Sequence, residues 1–62
     1  MALKDFNTTE EVAEYLSVSV NTVRKWRADG SGPRGLRLGR VVRYSRADVE
    51  HWLAERAGDD AA

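Results

Sequence analysis

Apolar residues recur at helical spacing in three segments of the chain and alternate with basic residues in a fourth. In the first segment, Val12 and Leu16 lie on one stripe, which predicts a short helix over residues 9–16. Thr8 stands before this segment, with Glu11 three residues after it. In this capping-box spacing the two side chains satisfy each other's backbone N–H groups, so the start of the helix is well marked.

The second helix is predicted over residues 20–29. Residues 17–19 (Ser-Val-Ser) interrupt the apolar pattern, and serine favours turns and helix N-caps because its hydroxyl competes for backbone hydrogen bonds. Val23 and Trp26 mark the buried side of the second helix, and Gly30 suits its C-terminal end.

A β-hairpin is predicted to follow a loop rich in glycine and proline at residues 30–35. Residues 36–38 and 42–44 each place an arginine between two apolar residues, the alternation typical of strands. A two-residue turn starting at Gly39 would put Arg43 on the same face as the leucines. A three-residue loop instead pairs Leu38 with Val42 and turns both strand arginines outward. We expect the three-residue loop, because a one-residue slip would bury a guanidinium.

The third helix is predicted to start at Ser45, its N-cap, and to end at Gly58. Its apolar stripe is formed by Val49, Trp52 and Leu53. The domain is expected to span residues 1–57, and residues 58–62 are expected to be a frayed acidic tail.

The composition favours a small binding domain over an enzyme. At 62 residues without cysteine, the chain has no disulfide or thiolate metal site and little room for a catalytic cavity. We expect one core built around the two tryptophans, with Tyr44 in it and the tyrosine hydroxyl at the surface. No apolar run approaches the roughly 20 residues that span a bilayer, so the expected location is the cytoplasm, with no membrane contact.

Charge is distributed very unevenly along the chain, although the net charge is zero. Residues 24–46, hereafter the basic window, hold eight of the ten basic residues and only one acidic residue. Their net charge is therefore +7, and the rest of the chain carries −7. Such a basic segment is what a phosphate backbone binds, whereas the acidic flanks would repel it.

The fold class indicated by this order of elements is mainly α with a small β-hairpin: a winged helix-turn-helix, with a helix-turn-helix, a two-stranded wing and a C-terminal helix. In such folds the second helix enters the major groove of DNA. The wing can reach the adjacent groove with Arg40 at its tip, since a narrow minor groove concentrates negative potential. The predicted partner is therefore double-stranded DNA.

Two groups of short motifs also resemble a known family. Residues 16–19 and 22–26 (Leu-Ser-Val-Ser and Thr-Val-Arg-Lys-Trp) resemble the helix-turn-helix signature of MerR-like domains. Residues 39–44, followed by Asp48-Val49 and Trp52-Leu53, resemble the wing and last helix of the excisionase subgroup. One departure is Lys25, where MerR-like domains often have a tyrosine.

The resemblance implies a recombination directionality factor of a bacteriophage or mobile element in a bacterial host cell. Such a factor binds beside an attachment site, bends the DNA and helps an integrase to excise the element, with no catalysis or cofactor of its own. The partners implied are DNA, an integrase and further copies bound cooperatively. The predicted DNA-binding residues comprise the recognition-helix region and the wing: Ser19, Asn21, Thr22, Arg24, Lys25, Arg27, Arg37, Gly39, Arg40 and Arg43.

Alternatives remain open for the function and for single residues. The chain could be a small transcriptional regulator of the same fold, or an interaction module that docks a recombinase through its acidic helices. Arg27 could pair with Asp29 or Glu11 rather than with DNA. His51 and Asp48 are expected to be a surface pair and not part of a catalytic or metal site.

Overall fold

The structure is a computed structural model that describes residues 2–60; Met1, Ala61 and Ala62 lie outside this range, as do the side chains of residues 59 and 60. Three helices and three short strands follow one another along the chain. They are β1 (Phe6–Asn7), α1 (Thr9–Leu16), α2 (Val20–Asp29), β2 (Leu36–Leu38), β3 (Val41–Ser45) and α3 (Arg46–Asp60). This order is that of a winged helix-turn-helix, as the sequence predicted.

The predicted N-terminal caps of α1 and α2 are confirmed. The hydroxyl of Thr8 accepts a hydrogen bond from the Glu11 backbone N–H at 3.0 Å, and the Glu11 carboxylate accepts one from the Thr8 N–H at 2.9 Å. Ser19 caps α2 in the same way by accepting from the Thr22 N–H at 3.2 Å. Both helices therefore start where a local side chain satisfies their free N–H groups.

The Glu11 carboxylate should make the stability of the fold depend on pH. A hydrogen bond from Lys4 and the N–H of Thr8 lower the pKa of Glu11 from 4.5 to about 2. Because the pKa of Glu11 is lower in the folded than in the unfolded state, the ionised carboxylate stabilises the fold at pH values above the unfolded-state pKa. This contribution is lost as the pH falls towards the folded-state pKa. We expect the unfolding temperature to exceed that of Glu11→Gln at neutral pH, and the difference to shrink between pH 4.5 and 2. A difference independent of pH would contradict this, because glutamine keeps the capping bond and loses only the charge.

The turn between α1 and α2 is the three-residue segment predicted at residues 17–19. Ser17 takes a left-handed conformation (φ 58°), and its N–H bonds to the carbonyl of Glu14 at 3.1 Å. The Val18 N–H bonds to the carbonyl of Ala13 at 3.0 Å. These bonds satisfy the last carbonyls of α1 and set the direction in which α2 leaves.

The third helix starts as predicted but does not end at Gly58. The Ser45 hydroxyl accepts a hydrogen bond from the Asp48 N–H at 3.1 Å, which caps the helix. The helix continues through Gly58 to Asp60. Glycine ends a helix by adopting a positive φ, as Gly30 does at the end of α2 (φ 76°), and Gly58 does not adopt one.

The three strands form an antiparallel sheet in the order β1-β3-β2. The two-residue β1 was not predicted from the sequence. It is held in place by Asn7, whose buried side-chain amide donates to the carbonyls of Lys4 and Tyr44 at 2.9 and 3.1 Å. This one side chain therefore ties the N-terminal segment to the central strand.

The hairpin has a two-residue turn, so the predicted three-residue loop was wrong. Leu38 pairs with Val41, and Gly39 has the positive φ (67°) that the first position of a type II′ turn requires. The prediction assumed that the leucines face the core. They face solvent instead, with Leu36 39% and Leu38 51% exposed, so this register buries no guanidinium.

The register divides the strand side chains between two faces, because directly paired residues point to the same side of a sheet. Val42 and Tyr44 face the helices, and Arg37, which pairs with Val42, shares their side. Arg43 pairs with Leu36 and lies on the opposite, outer face, where its guanidinium donates to the Val42 carbonyl at 2.9 Å. The prediction that both strand arginines face outward was therefore wrong.

The core lies between the helices and the inner face of the sheet. Its most fully buried apolar side chains come from different elements: Val12, Val23, Tyr44 and Val49. Trp26 and Trp52 were expected at the centre, but both are only half-buried and contact each other with ring centroids 5.2 Å apart. An indole is difficult to enclose fully in so small a domain, so the pair lies at the edge of the core.

Tyr44 gives a prediction about stability. Its hydroxyl was expected at the surface, but it is buried, and among the described residues it finds no hydrogen-bond partner. Because a buried hydroxyl without a partner is unfavourable, we expect Tyr44→Phe to stabilise the fold by about 1 kcal/mol in denaturant unfolding. The half-buried Tyr15 provides a control, and Tyr15→Phe should change little. A loss of stability in Tyr44→Phe would show that the hydroxyl has a partner.

Candidate nucleic-acid interface

The outward face of α2 carries polar and basic side chains because the helix buries its opposite side. Val23 is buried and Trp26 is half-buried. Because successive residues of a helix are 100° apart, residues spaced three or four positions from one another share the opposite side. The exposed residues on that side are Asn21, Arg24, Lys25 and Ala28. A helix with this face is suited to lie in the major groove.

The N-terminus of α2 holds two of the predicted contact residues. The hydroxyls of Ser19 and Thr22 lie 2.9 Å apart and are hydrogen-bonded to each other. Ser19 is exposed and Thr22 half-buried. Their position at the positive end of a helix dipole favours a phosphate oxygen at this place.

Two arginines of α2 also contact α1. The guanidinium of Arg24 lies 3.5 Å from the carboxylate of Glu10, and that of Arg27 donates to the Thr9 hydroxyl at 3.5 Å. Neither of the acidic partners considered for Arg27, Asp29 and Glu11, is bound to it. Both side chains therefore lie on a flank of α2 that is within reach of α1.

The wing presents its turn to solvent. Gly39 and Arg40 form the exposed tip of the hairpin. Among residues whose side chains are described, no carboxylate pairs with Lys25, Arg37 or Arg40. Three of the predicted contact residues thus keep a charge that an external anion could neutralise.

An open cleft of about 320 Å³ lies between α2 and the wing. Arg24, Arg27 and Ala28 stand on its helical side, and Arg37 stands on its sheet side. Gly35 and Val42 complete the lining. The sequence did not predict this cleft, because Arg37 lines it only when the hairpin has the two-residue turn.

His51 was expected to form a surface pair with Asp48, and this prediction was wrong. Its ring nitrogen Nε2 lies 2.9 Å from the carboxylate of Glu55, one helical turn further along α3, and not beside Asp48. Both side chains of this pair are largely exposed. The backbone N–H of Asp48 donates to the Ser45 hydroxyl in the first turn of α3. In the part of the chain that the structure describes, no group of three or more metal-binding side chains comes together. None of its helices has the length and apolarity to cross a bilayer.

The geometry defines a class of protein: a helix-turn-helix whose exposed second helix and adjacent wing are both basic. A comparison with protein-family models agrees, matching residues 8–57 to a helix-turn-helix domain. The match extends from the cap of α1 into the last turns of α3, so the chain belongs to the helix-turn-helix domain family, a DNA-binding fold. A search of curated proteins found no match.

Proposed function

We propose that this chain is an excisionase-type factor. In this proposal it binds duplex DNA beside an attachment site, with α2 in the major groove and Arg40 in the adjacent minor groove. It bends the DNA and directs an integrase to excise a phage or mobile element. It acts in the cytoplasm of a bacterial host, without a cofactor or a reaction of its own.

The observation that carries the DNA-binding geometry is the arrangement of the basic window. The window has a net charge of +7. It forms two neighbouring surfaces, the outward face of α2 and the wing. Arginine and lysine on both surfaces can meet phosphates on a single side of a duplex. The excisionase assignment rests on the resemblance of the wing and last helix, and on a family that includes excisionase-like proteins.

The proposed contacts divide by what they read. Asn21 and Lys25 are exposed on the side of α2 opposite the buried Val23, so they are placed to reach base edges in the major groove. Ser19 and Thr22 bind phosphate at the helix N-terminus. On the wing, Gly39 allows the tight turn that presents Arg40, and Arg43 lies on the outer face of the same hairpin.

The acidic flanks provide a further part of the proposal. Residues outside the basic window carry −7, and α1 and α3 display exposed carboxylates such as Glu14 and Glu50. A surface of this charge does not approach DNA, so it is free for a basic protein neighbour, such as the integrase or the basic window of another copy bound alongside.

The test has two stages. Electrophoretic mobility shift with attachment-site duplex across a range of salt should show binding that weakens as salt rises. An excision reaction in vitro with a purified integrase should then depend on the protein, and Arg40→Ala should reduce it. Arg56→Ala serves as the matched control, since Arg56 lies over the Trp52 ring on α3 (5.5 Å to its centroid), and should act like the unaltered protein.

The outcomes separate the alternatives. No shift at low salt would overturn DNA binding by this chain. Binding without any effect on the direction of recombination would overturn the excisionase assignment and favour a transcriptional regulator of the same fold. Full excision activity in both Arg24→Ala and Arg40→Ala would favour the interaction module, which docks a recombinase through its acidic helices.

A further inference from the structure

We propose that the cleft between α2 and the wing binds one internal phosphodiester of the DNA backbone. The phosphate is held by the guanidinium groups of Arg24, Arg27 and Arg37. This inference rests on the proposed DNA-binding geometry and adds to it a specific ligand group and a specific site.

The cleft brings these three arginines together from two elements. Arg24 and Arg27 are three residues apart on α2 and so lie on neighbouring positions of one helix face. Arg37 reaches the same space from β2 because it pairs with Val42, whose side chain faces the helices. With a one-residue shift of register Arg37 would point to the outer face, and the cleft would lose a third of its charge.

The charges in the cleft favour an anion. Within the described part of the chain the only ion pair made by these arginines joins Arg24 to Glu10 at 3.5 Å, and both of those side chains are more than half exposed. Arg27 contacts a neutral hydroxyl, that of Thr9. Cations held close together without enough counter-charge repel one another, and a bound anion relieves that repulsion. Guanidinium groups bind phosphate oxygens through paired, charge-assisted hydrogen bonds.

The shape of the cleft admits a phosphate between the arginines. Ala28 and Gly35 contribute the smallest side chains of the lining, so they leave the approach open. A Cβ at Gly35 would lie 3.1 Å from Val42 Cγ1 and 3.3 Å from Tyr44 Cε1, so the backbone here already packs against the inner face of the sheet. Among the described residues, none that lines the cleft has an aromatic ring on which a nucleobase could stack. The lining therefore fits a backbone phosphate better than a free nucleotide.

The position of the cleft agrees with the geometry of a duplex. A sugar-phosphate strand always separates a major groove from the adjacent minor groove. When α2 occupies the major groove and Arg40 the adjacent minor groove, that strand must pass between helix and wing. The cleft is the space between them.

The experiment replaces single phosphates of the duplex by neutral methylphosphonates, along a site selected in vitro from random sequence. With the unaltered protein, one position on the strand between the two grooves should lower affinity roughly tenfold, the range of a charge-assisted bond. With Arg37→Ala the same replacement should have little further effect, because the partner has already been removed. Arg27→Ala, at a second exposed side chain, should show the same coupling at the same position.

Arg56→Ala is the control and should keep the full loss at that position. Additive losses at every position in Arg37→Ala and Arg27→Ala would overturn the inference while leaving DNA binding intact. Saturable binding of inorganic phosphate to the cleft, without coupling to any one backbone position, would also overturn it and indicate a site for small anions. Failure of the unaltered protein to bind any duplex would instead contradict the proposed function itself.

Discussion

Lys25→Ala is expected to weaken binding to the cognate DNA site roughly tenfold and to relax the sequence preference at one base pair. Lys25 is exposed, lies on the groove-facing side of α2 and has no carboxylate partner among the described side chains. Its ammonium is therefore free to donate to acceptors on a base edge. A competition experiment with duplexes that vary one base pair at a time would measure both effects.

Arg40→Ala provides the contrast to Lys25→Ala. Arg40 lies at the wing tip, where it meets the minor groove and phosphates rather than a distinctive base edge. Its loss should weaken binding to all duplexes alike and reduce the slope of log K against log salt by about 0.9, the value for one phosphate contact. Unchanged preference in Lys25→Ala would contradict the role assigned to Lys25, and altered preference at one base pair in Arg40→Ala would contradict the role assigned to Arg40.

The helices were predictable because their signals are local. The capping box at Thr8 and Glu11, the serine cap at Ser19 and the stop at Gly30 each depend on neighbours within a few residues. Gly58 shows the limit of such signals. A glycine permits a helix to end but does not compel it, and here the backbone stays helical to Asp60.

The sheet was less predictable because its register depends on which face is covered. The alternation of leucine and arginine over residues 36–38 is the same whether the leucines face the core or solvent. Only the packed structure shows that Val42 and Tyr44 supply the inner face and that Leu36 and Leu38 lie outside. The strand β1 was missed because two residues carry no periodicity.

The candidate site shows the same division. The basic window and the exposed face of α2 follow from the order of residues, since charge and helical periodicity can both be read along the chain. The cleft could not be predicted, because it needs Arg37 on the side of the sheet opposite to Arg43, and that depends on a turn one residue shorter than expected. An error of one residue in the turn therefore concealed a candidate phosphate site.

Gly32→Ala is expected to destabilise the domain by about 2 kcal/mol, within the range for overpacking of a tight contact. A Cβ at Gly32 would lie only 2.6 Å from the Cβ of Trp26. Neither atom can turn away about a side-chain bond, so the backbone of the loop or of α2 must move. For a domain of this size the unfolding temperature should fall by roughly 10 °C.

The loop around Gly32 has little freedom to absorb this shift. The indole N–H of Trp52 donates to the carbonyl of Ser31 at 2.9 Å, and the rings of Trp52 and Trp26 have centroids 5.2 Å apart. Moving the loop away from α2 therefore strains the contacts that join α2, α3 and the segment leading into the wing. A domain of 62 residues has few kcal/mol to lose, so partial unfolding near physiological temperature is the expected consequence.

Gly58→Ala is the matched control, since it makes the same chemical change at a helical glycine with nothing within 4 Å of the new Cβ. Alanine restricts the unfolded chain and favours a helix, so this variant should gain roughly 0.5 kcal/mol. Thermal unfolding followed by circular dichroism at 222 nm, a wavelength that reports helix content, would compare the two. Opposite signs at Gly32 and Gly58 would locate the effect in the contact with Trp26. Equal losses at both sites would mean that the added methyl group acts through the backbone alone and that the close packing of Gly32 against Trp26 does not limit stability.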